Sequence, residues 1–333
     1  MKQVPTYDDV VAAADRLRGH AVRTPLLSCA ELDRRTGGRI FLKAENLQRT
    51  GSFKFRGAMN AISALMASGA DPAPPARGGV IAFSSGNHAQ GVAEAARLHG
   101  IPATIIMPDD APLSKIRRTE RAGATVILYD RNRDSRDEIT RIHTERLAAE
   151  LIHPFDNQDV IAGQGTLALE AVDTLAELGI APDLVLACAG GGGLAAGVSL
   201  VMAKRCPQAR FHTVEPEGFD DYRRSLLAGE RLSNPTTSGS VCDAILTPMP
   251  GARSFEILHG YASEGLAVTD ADAMSAVAFA YHELKIVLEP GGAVALAAVL
   301  SGKIDVRDKT VLLTLSGGNV DPAIFQQALE GSA

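Results

Sequence analysis

The feature that most constrains the fold of this chain is a regular alternation of short apolar segments with longer amphipathic ones. The pattern predicts strands and helices in turn at 80–83, 89–99, 103–107, 113–122, 125–128 and 135–150. A second alternation predicts a strand, a helix and two further strands at 184–187, 194–204, 211–214 and 311–314. Strands that alternate with helices in this way pair in parallel, so we predict an α/β protein with parallel sheets.

The length of the chain favours two domains. A chain of 333 residues is longer than one ordinary core requires. We predict a large domain formed by 1–50 and 155–333, and a small domain formed by 51–154 with its compact core at about 78–150. The proline-rich stretch at 68–75 is predicted to be a flexible surface loop.

Composition argues against several classes of function. Aromatic residues make up 5% of the chain, tryptophan is absent and the formal net charge is −6, so we expect no nucleic-acid partner. No apolar run reaches the length of a membrane span, and the first residues lack the apolar core of a signal peptide. The four cysteines are widely spaced without a CxxC pair, which favours reduced thiols. We therefore expect a soluble, cytoplasmic protein without membrane contact.

A lysine in apolar surroundings is the first candidate for chemistry. The segment TGSFKFRGA at 50–58 places Lys54 between Phe53 and Phe55, just after a turn of small residues and at the start of a predicted helix. Desolvation lowers the pKa of an amine and makes its lone pair available for reaction with a carbonyl group. Taken alone, the segment fits a surface lysine near a helix start equally well.

The loop SSGNHAQG at 84–91 follows a predicted strand and opens a helix. Backbone N–H groups at a helix start, together with serine and asparagine side chains, can bind an anion or a hydroxyl group. Simple helix capping by Ser85 or Asn87 is the alternative. We interpret His88 as a packed histidine rather than as a catalytic base.

Two glycine-rich loops also follow predicted strands, where open parallel sheets bind their ligands. Successive glycines at 190–193 cost conformational entropy on folding, which a close wrap around a phosphate explains. The alternative is a dinucleotide site in which Glu215 binds a ribose. The loop SGGN at 316–319 fits an ordinary turn when taken alone, and the glycine turn at 289–293 favours a structural helix start.

The segment 215–221 carries four carboxylates in seven positions. Such a density is common in solvated loops. Carboxylates together with a backbone carbonyl oxygen are also the ligands that a hard divalent cation requires. The residues alone leave both interpretations open.

Taken together, these motifs resemble the pyridoxal-phosphate (PLP)-dependent serine/threonine dehydratase family, which includes serine racemase. The motifs RTP at 23–25, TGSFKFRGA, SSGNHAQG, IAGQGT at 161–166, GGGGL at 190–194 and SGGN appear in the order found in that family. The resemblance spans nearly the whole chain. It implies the fold-type II architecture of the tryptophan-synthase β-subunit kind: two three-layer α/β domains with PLP in the cleft between them, in a protein expected to be a homodimer.

The resemblance also implies roles for individual residues. The cofactor would be bound by Phe53, Lys54, Asn87, Gly190, Gly191, Gly192, Gly193, Leu194 and Ser316. Lys54 would bind it covalently as a Schiff base, Asn87 would hydrogen-bond its phenolic oxygen and Ser316 would face its pyridine nitrogen. A neutral hydroxyl group at that nitrogen favours β-elimination over other fates of the carbanion.

Substrate and metal residues follow from the same resemblance. Ser52, Ser85, Asn87 and His88 would hold the substrate. Ser85 matches the residue that stands opposite the lysine in racemases of the family, which makes it the second catalytic candidate beside Lys54. The backbone carbonyl of Phe219, with Glu215 and Asp221, matches the family's divalent-metal site, so we expect Mg²⁺, or Ca²⁺ or Mn²⁺.

We therefore predict an ammonia-lyase that eliminates the β-hydroxyl group of L-threonine or L-serine and yields a 2-oxo acid and ammonia. Serine racemase activity and dehydration of 3-hydroxyaspartate or phenylserine are the nearest alternatives. A nicotinamide-dependent dehydrogenase that uses the glycine loop and Glu215 is the alternative from a different class. A non-catalytic binding protein is the third.

Overall fold

The computed structural model describes residues 4–68, 78–111, 113–236 and 238–331. The segment 68–75, which we predicted to be a surface loop, lies outside these residues except for its first member. In the described part, two sheets with helices packed against them form the molecule. The α/β class and the parallel sheets are confirmed.

The larger sheet has the strand order β1 (Leu26–Ser28), β2 (Arg39–Ala44), β10 (Thr310–Leu315), β7 (Leu184–Cys188), β8 (Arg210–Pro216) and β9 (Ala262–Val268). The smaller sheet has the order β5 (Thr125–Tyr129), β4 (Ala103–Pro108), β3 (Val80–Phe83) and β6 (Glu150–Leu151). Within the described residues, only β1 runs antiparallel to its neighbour. The central strands are buried and apolar, as parallel strands covered on both faces require.

The helices are α1 (Tyr7–Leu17), α2 (Ala30–Thr36), α3 (Lys54–Ala67), α4 (Asn87–His99), α5 (Leu113–Arg121), α6 (Arg136–Leu147), α7 (Gln158–Glu177), α8 (Gly193–Arg205), α9 (Asp221–Ala228), α10 (Ala252–Tyr261), α11 (Asp270–Phe279), α12 (Pro290–Leu300) and α13 (Pro322–Glu330). Helix α3 packs against α4 beside the smaller sheet and against α7 beside the larger one. It therefore lies where the two halves of the molecule meet.

The predicted helix at 135–150 was too long at its C-terminal end. Helix α6 stops at Leu147 because Ala148 adopts a left-handed conformation with φ = 48°. The next residues turn back to the smaller sheet, where Glu150 and Leu151 pair with Val80 and Ile81. A two-residue strand carries no periodic pattern, so the sequence could not reveal it.

The carboxyl ends of the strands define where the functional loops lie. Strand β3 is followed by the start of α4, β7 by the start of α8, β8 by the start of α9, and β10 by the loop 316–319. The chain enters α3 through the segment 50–53, and Ser52 forms an isolated antiparallel bridge with Gly317. The motifs that were separate in the sequence thus surround the start of α3.

Candidate active site

Lys54 is the first residue of α3 and its side chain is half-buried. Its Nζ atom donates a hydrogen bond of 2.8 Å to the carbonyl oxygen of Pro154 and lies 5.3 Å from the centre of the Phe53 ring. Desolvation lowers the pKa of this amine from 10.5 to about 8. At pH 7 roughly a tenth of the amine is therefore uncharged and able to react with a carbonyl group.

The segment that carries Lys54 is held against the loop after β10. The backbone N–H of Phe53 donates to the carbonyl of Ser316 at 3.1 Å, and the N–H of Gly318 donates to the carbonyl of Gly51 at 2.9 Å. Thr50 has φ = 60°, a left-handed conformation that costs energy for a residue with a branched side chain. In this conformation its carbonyl oxygen accepts a hydrogen bond of 2.7 Å from Nδ2 of Asn319.

Ser316 is buried at the carboxyl end of β10. Its Oγ atom accepts a hydrogen bond of 3.3 Å from the thiol of Cys188, the last residue of β7. Burial raises the pKa of this thiol to about 11, so it keeps its proton and remains a donor. Because the Cys188 thiol supplies one hydrogen bond, the hydroxyl hydrogen of Ser316 is free for another acceptor.

Asn87 begins α4 and lies between two side chains from the larger half of the molecule. Its Nδ2 atom donates to Oε1 of Glu289 at 2.6 Å, and its Oδ1 atom accepts from Nδ2 of Asn319 at 2.8 Å. Glu289 is buried, and this burial raises its pKa from 4.5 to about 7. The sequence predicted a structural helix start at 289–293; α12 does begin at Pro290, but the carboxylate is an addition to the site that the sequence did not reveal.

The other residues of the 84–91 loop differ in exposure. Ser85 is half-buried in the turn before α4. His88 is buried, and its Nε2 atom lies 2.8 Å from the carbonyl oxygen of Ile152. Burial lowers the pKa of this imidazole to about 3, so the ring is neutral and packed. The hydroxyl group of Ser52 is also buried, and it forms no hydrogen bond with any residue that the structure describes.

The glycine loop at 190–193 is enclosed by large side chains. A Cβ atom added at Gly191 would overlap the ring of Phe155, and one added at Gly192 would overlap the hydroxyl group of Tyr222. Gly192 has φ = 87°, and α8 begins at Gly193 without a side-chain cap. The first N–H groups of the helix, including that of Leu194, have no intrahelical acceptor and can bind a phosphate.

The acidic pocket comprises Glu215, Phe219 and Asp221. Both carboxylate oxygens of Glu215 accept backbone N–H bonds of 2.8 Å at the start of α9. Asp221 accepts a 2.6 Å bond from Asn234 through Oδ1, whereas its buried Oδ2 has no partner among the described residues. Burial raises the pKa of Asp221 to about 6, and burial with the charge of Asp221 raises that of Glu215 well above its usual value.

A second charged cluster, the arginine cluster, lies behind α3 and comprises Arg56, Lys43, Glu45 and Glu170. Arg56 donates to Oε2 of Glu45 and to Oε1 of Glu170, both at 2.7 Å. Lys43 donates to Glu170 at 2.6 Å and to the carbonyl of Thr24 at 2.7 Å. The sequence analysis missed this cluster, which anchors the first turn of α3 and so supports Lys54.

Comparison with known proteins decides the family. The family model described as "Pyridoxal-phosphate dependent enzyme" matches residues 17–317. The chain belongs to this family. Lysine, glycine loop and orphaned serine hydroxyl are chemically suited to an aldehyde cofactor that carries a phosphate. PLP is therefore the cofactor, and the predicted family, cofactor and enzymatic nature of the chain are confirmed. The family assignment replaces the dehydrogenase and binding-protein alternatives.

Several curated relatives of this PLP-dependent enzyme cover almost its entire length. An L-threo-3-hydroxyaspartate ammonia-lyase from a Pseudomonas species is 41% identical over 99% of this chain and 100% of its own. A serine racemase from Schizosaccharomyces pombe is 37% identical over 96% and 95%. An L-threonine ammonia-lyase from Thermotoga maritima is 41% identical over 95% of this chain and 76% of its own.

Solved structures agree with the sequence relatives. A bacterial-type threonine deaminase, described as that of T.th., superposes with a TM-score of 0.88 and 40% identity, covering 95% of this chain and 99% of its own. Maize serine racemase superposes with a TM-score of 0.89 and 32% identity, covering 98% of each chain. The predicted fold-type II architecture is confirmed. Among the described residues, no helix of this PLP-dependent enzyme is long and apolar enough to cross a membrane.

Proposed function

We propose that this PLP-dependent enzyme eliminates the β-hydroxyl group of an amino acid, L-threonine or L-serine in the first place, and releases a 2-oxo acid and ammonia. The observation that carries the proposal is the desolvated amine of Lys54, with a pKa of about 8, at the point where the loops after β3 and β10 meet. The relatives named above support the reaction class.

The cofactor would be held by Phe53, Lys54, Asn87, Gly190, Gly191, Gly192, Gly193, Leu194 and Ser316. When bound, PLP supplies a carbonyl carbon for an amine and an electron sink for the negative charge that develops at Cα. The free hydroxyl hydrogen of Ser316 suits an acceptor such as a ring nitrogen. The glycine loop suits a phosphate because no side chain projects from it.

Protons are moved by Lys54 and, on the opposite face, by Ser85. The amine of Lys54, released when the amino group of the substrate binds, removes the Cα proton as general base. Ser52, Ser85 and Asn87 would hold the substrate carboxylate with their side chains. His88 would contribute its backbone N–H at the start of α4, since its ring is directed to Ile152.

Dehydration of 3-hydroxyaspartate is the second candidate. Relatives from Pseudomonas, Saccharomyces cerevisiae and Paracoccus denitrificans carry names for that activity, at 41%, 39% and 36% identity. Serine racemase activity is the third, because Ser85 is in place to return a proton to the other face of Cα. Phenylserine is a further substrate to include.

A divalent cation in the acidic pocket completes the proposal. The buried and unpartnered Oδ2 of Asp221, the carboxylate of Glu215 and the carbonyl of Phe219 form an oxygen-only donor set that suits Mg²⁺, Ca²⁺ or Mn²⁺. The described residues contain no group of three or more His, Cys, Asp or Glu side chains arranged around a metal. We also propose a cytoplasmic homodimer, which light scattering would test for its oligomeric state.

The test is a substrate panel on the purified enzyme. L-threonine, L-serine, D-serine, 3-hydroxyaspartate and phenylserine are scored for oxo-acid release and for racemisation. We expect a visible absorption band that borohydride abolishes, and Lys54→Ala should lose the band and lower turnover at least about a thousandfold. Lys204→Ala, an exposed lysine on α8, is the matched control.

Two further outcomes bear on the roles. We expect Ser85→Ala to retain more elimination of L-substrates than formation of D-serine, and equal loss of both would contradict a separate role on the second face. A colourless protein that borohydride does not change, or full turnover by Lys54→Ala, would refute the proposed function.

A further inference from the structure

Glu289 is the buried ionisable group nearest to the proposed chemistry for which the mechanism above has no use. Its side chain is 5% exposed, and it immediately precedes α12. The hydrogen bond found for its carboxylate is with the neutral amide of Asn87 at 2.6 Å, and no arginine or lysine forms an ion pair with it among the described residues. A buried carboxylate held by an amide calls for a reason other than charge pairing.

The backbone around Glu289 fixes the position of its carboxylate. Its N–H donates to the carbonyl of Gly317 at 3.1 Å, directly after Ser316. A Cβ atom added at Gly317 would overlap Oε1 of Glu289. The carboxylate thus lies against bare backbone of the 316–319 loop, and the glycine is required by this close approach.

The amide of Asn319 determines the other end of the hydrogen-bond chain. Its Nδ2 atom donates to the carbonyl oxygen of Thr50 at 2.7 Å and to Oδ1 of Asn87 at 2.8 Å. A backbone carbonyl can only accept, so the amino group of Asn319 must face it. Nη1 of Arg118, which can only donate, lies 3.0 Å from Oδ1 of Asn319 and agrees with this orientation.

Asn87 therefore has one favourable orientation. If its amide were reversed, its amino group would face the amino group of Asn319, and its oxygen would face the carboxylate of Glu289. Both contacts would be repulsive, in a place where buried polar groups need a partner. One of the two amino hydrogens of Asn87 is used by Glu289, and the other is left for a ligand.

We propose that Glu289 is a positioning residue which, together with Asn319, fixes the amide of Asn87 so that one amino hydrogen is always presented to the oxygen of a bound cofactor. This rests on the proposed function, in which Asn87 contacts PLP. Glu289 acts through Asn87 and does not itself touch the reacting atoms. Arg118 adds a weaker, exposed restraint at the far end of the chain.

The test is a double-mutant cycle read by PLP binding. Holoenzyme is stripped of PLP with hydroxylamine and reloaded, and the dissociation constant and the position of the visible band are measured. We expect Glu289→Leu to weaken PLP binding about tenfold and to shift the band, whereas Glu289→Gln, which keeps an acceptor oxygen, stays within about threefold. In the Asn87→Ala background, Glu289→Leu should change binding by less than about twofold.

Controls separate the possible failures. Glu256→Leu, an exposed acid on α10, should leave both readouts unchanged, and Arg118→Met should weaken binding by no more than about threefold. Additive effects of Glu289→Leu and Asn87→Ala, or an unchanged dissociation constant in Glu289→Leu, would overturn the positioning role. Absence of a visible band in the unmutated enzyme would instead refute the proposed function.

Discussion

The arginine cluster and the acidic pocket are both buried and charged, but they differ in how their charges are balanced. In the arginine cluster, the cations Arg56 and Lys43 face the carboxylates of Glu45 and Glu170, and Arg56 also reaches Thr166 at 3.2 Å. In the acidic pocket, Glu215 and Asp221 face each other without a cationic side chain in contact, and one carboxylate oxygen has no partner within the described part of the chain.

The difference indicates which charged groups serve the fold and which serve a ligand. Burial of a charge is costly unless it is paired and hydrogen-bonded. The arginine cluster meets this condition by itself, so its charges are complete without any added group. The acidic pocket meets it only with an added cation, which is why we assign a metal ion to that pocket and none to the cluster.

Breaking the arginine cluster should have the largest effect. Arg56→Met removes five N–H donors and leaves the carboxylates of Glu45 and Glu170 buried with one remaining cation. We expect a loss of about 3 to 5 kcal/mol in the free energy of unfolding, measured by urea denaturation. Arg141→Met, which breaks an exposed pair with Glu145, should cost less than about 0.5 kcal/mol. A cost below about 1 kcal/mol for Arg56→Met would contradict a structural role for the cluster.

Metal addition should have the next largest effect, and only in the acidic pocket. Enzyme treated with a chelator should gain about 3 kcal/mol when Mg²⁺ or Ca²⁺ is added at 100 times its dissociation constant, as measured by thermal unfolding. Asp221→Asn should lose this response, whereas Asp220→Asn, a neighbour outside the donor set, should keep it. If the metals leave the unmutated enzyme unchanged, the pocket is not a metal site.

Glu289 sharpens the comparison because it is a buried carboxylate with neither a salt-bridge partner nor a metal. Burial raises its pKa in the folded protein to about 7, with Asn87 opposing this shift and Asp243, Lys115 and Lys54 as the charged neighbours. Between pH 4.5 and 7 the folded state then binds more protons than the unfolded state, so stability falls as pH rises through this window.

The measurement compares PLP-free enzyme with Glu289→Gln, which has no proton to lose. The unmutated protein should lose about 2 kcal/mol of stability relative to this variant between about pH 5 and pH 8. Parallel stability curves for the two proteins would mean that Glu289 keeps its charge in the folded state.

Local motifs predicted much of the fold and site, because a lysine, a glycine run or an apolar strand has its meaning within a few residues. Glu289 and Arg56 could not be recognised in this way. Glu289 reads as the start of a helix, and its partner Asn87 is far away in the chain. Arg56 shares a motif with Lys54, yet its partner Glu170 belongs to α7. Strand β9 was also missed, since the segment ASEGLAV shows no clear alternation.

The placement of β10 has a consequence for how the enzyme is made. This strand is the last of the larger sheet along the chain, yet it lies between β2 and β7 and pairs with both. During translation, β2 emerges from the ribosome long before the strand that joins it to the rest of the sheet. The loop 316–319, which holds the segment next to Lys54, emerges later still. Stable capture of PLP therefore follows completion of the polypeptide, and colour in a nascent-chain experiment would report synthesis of its final part.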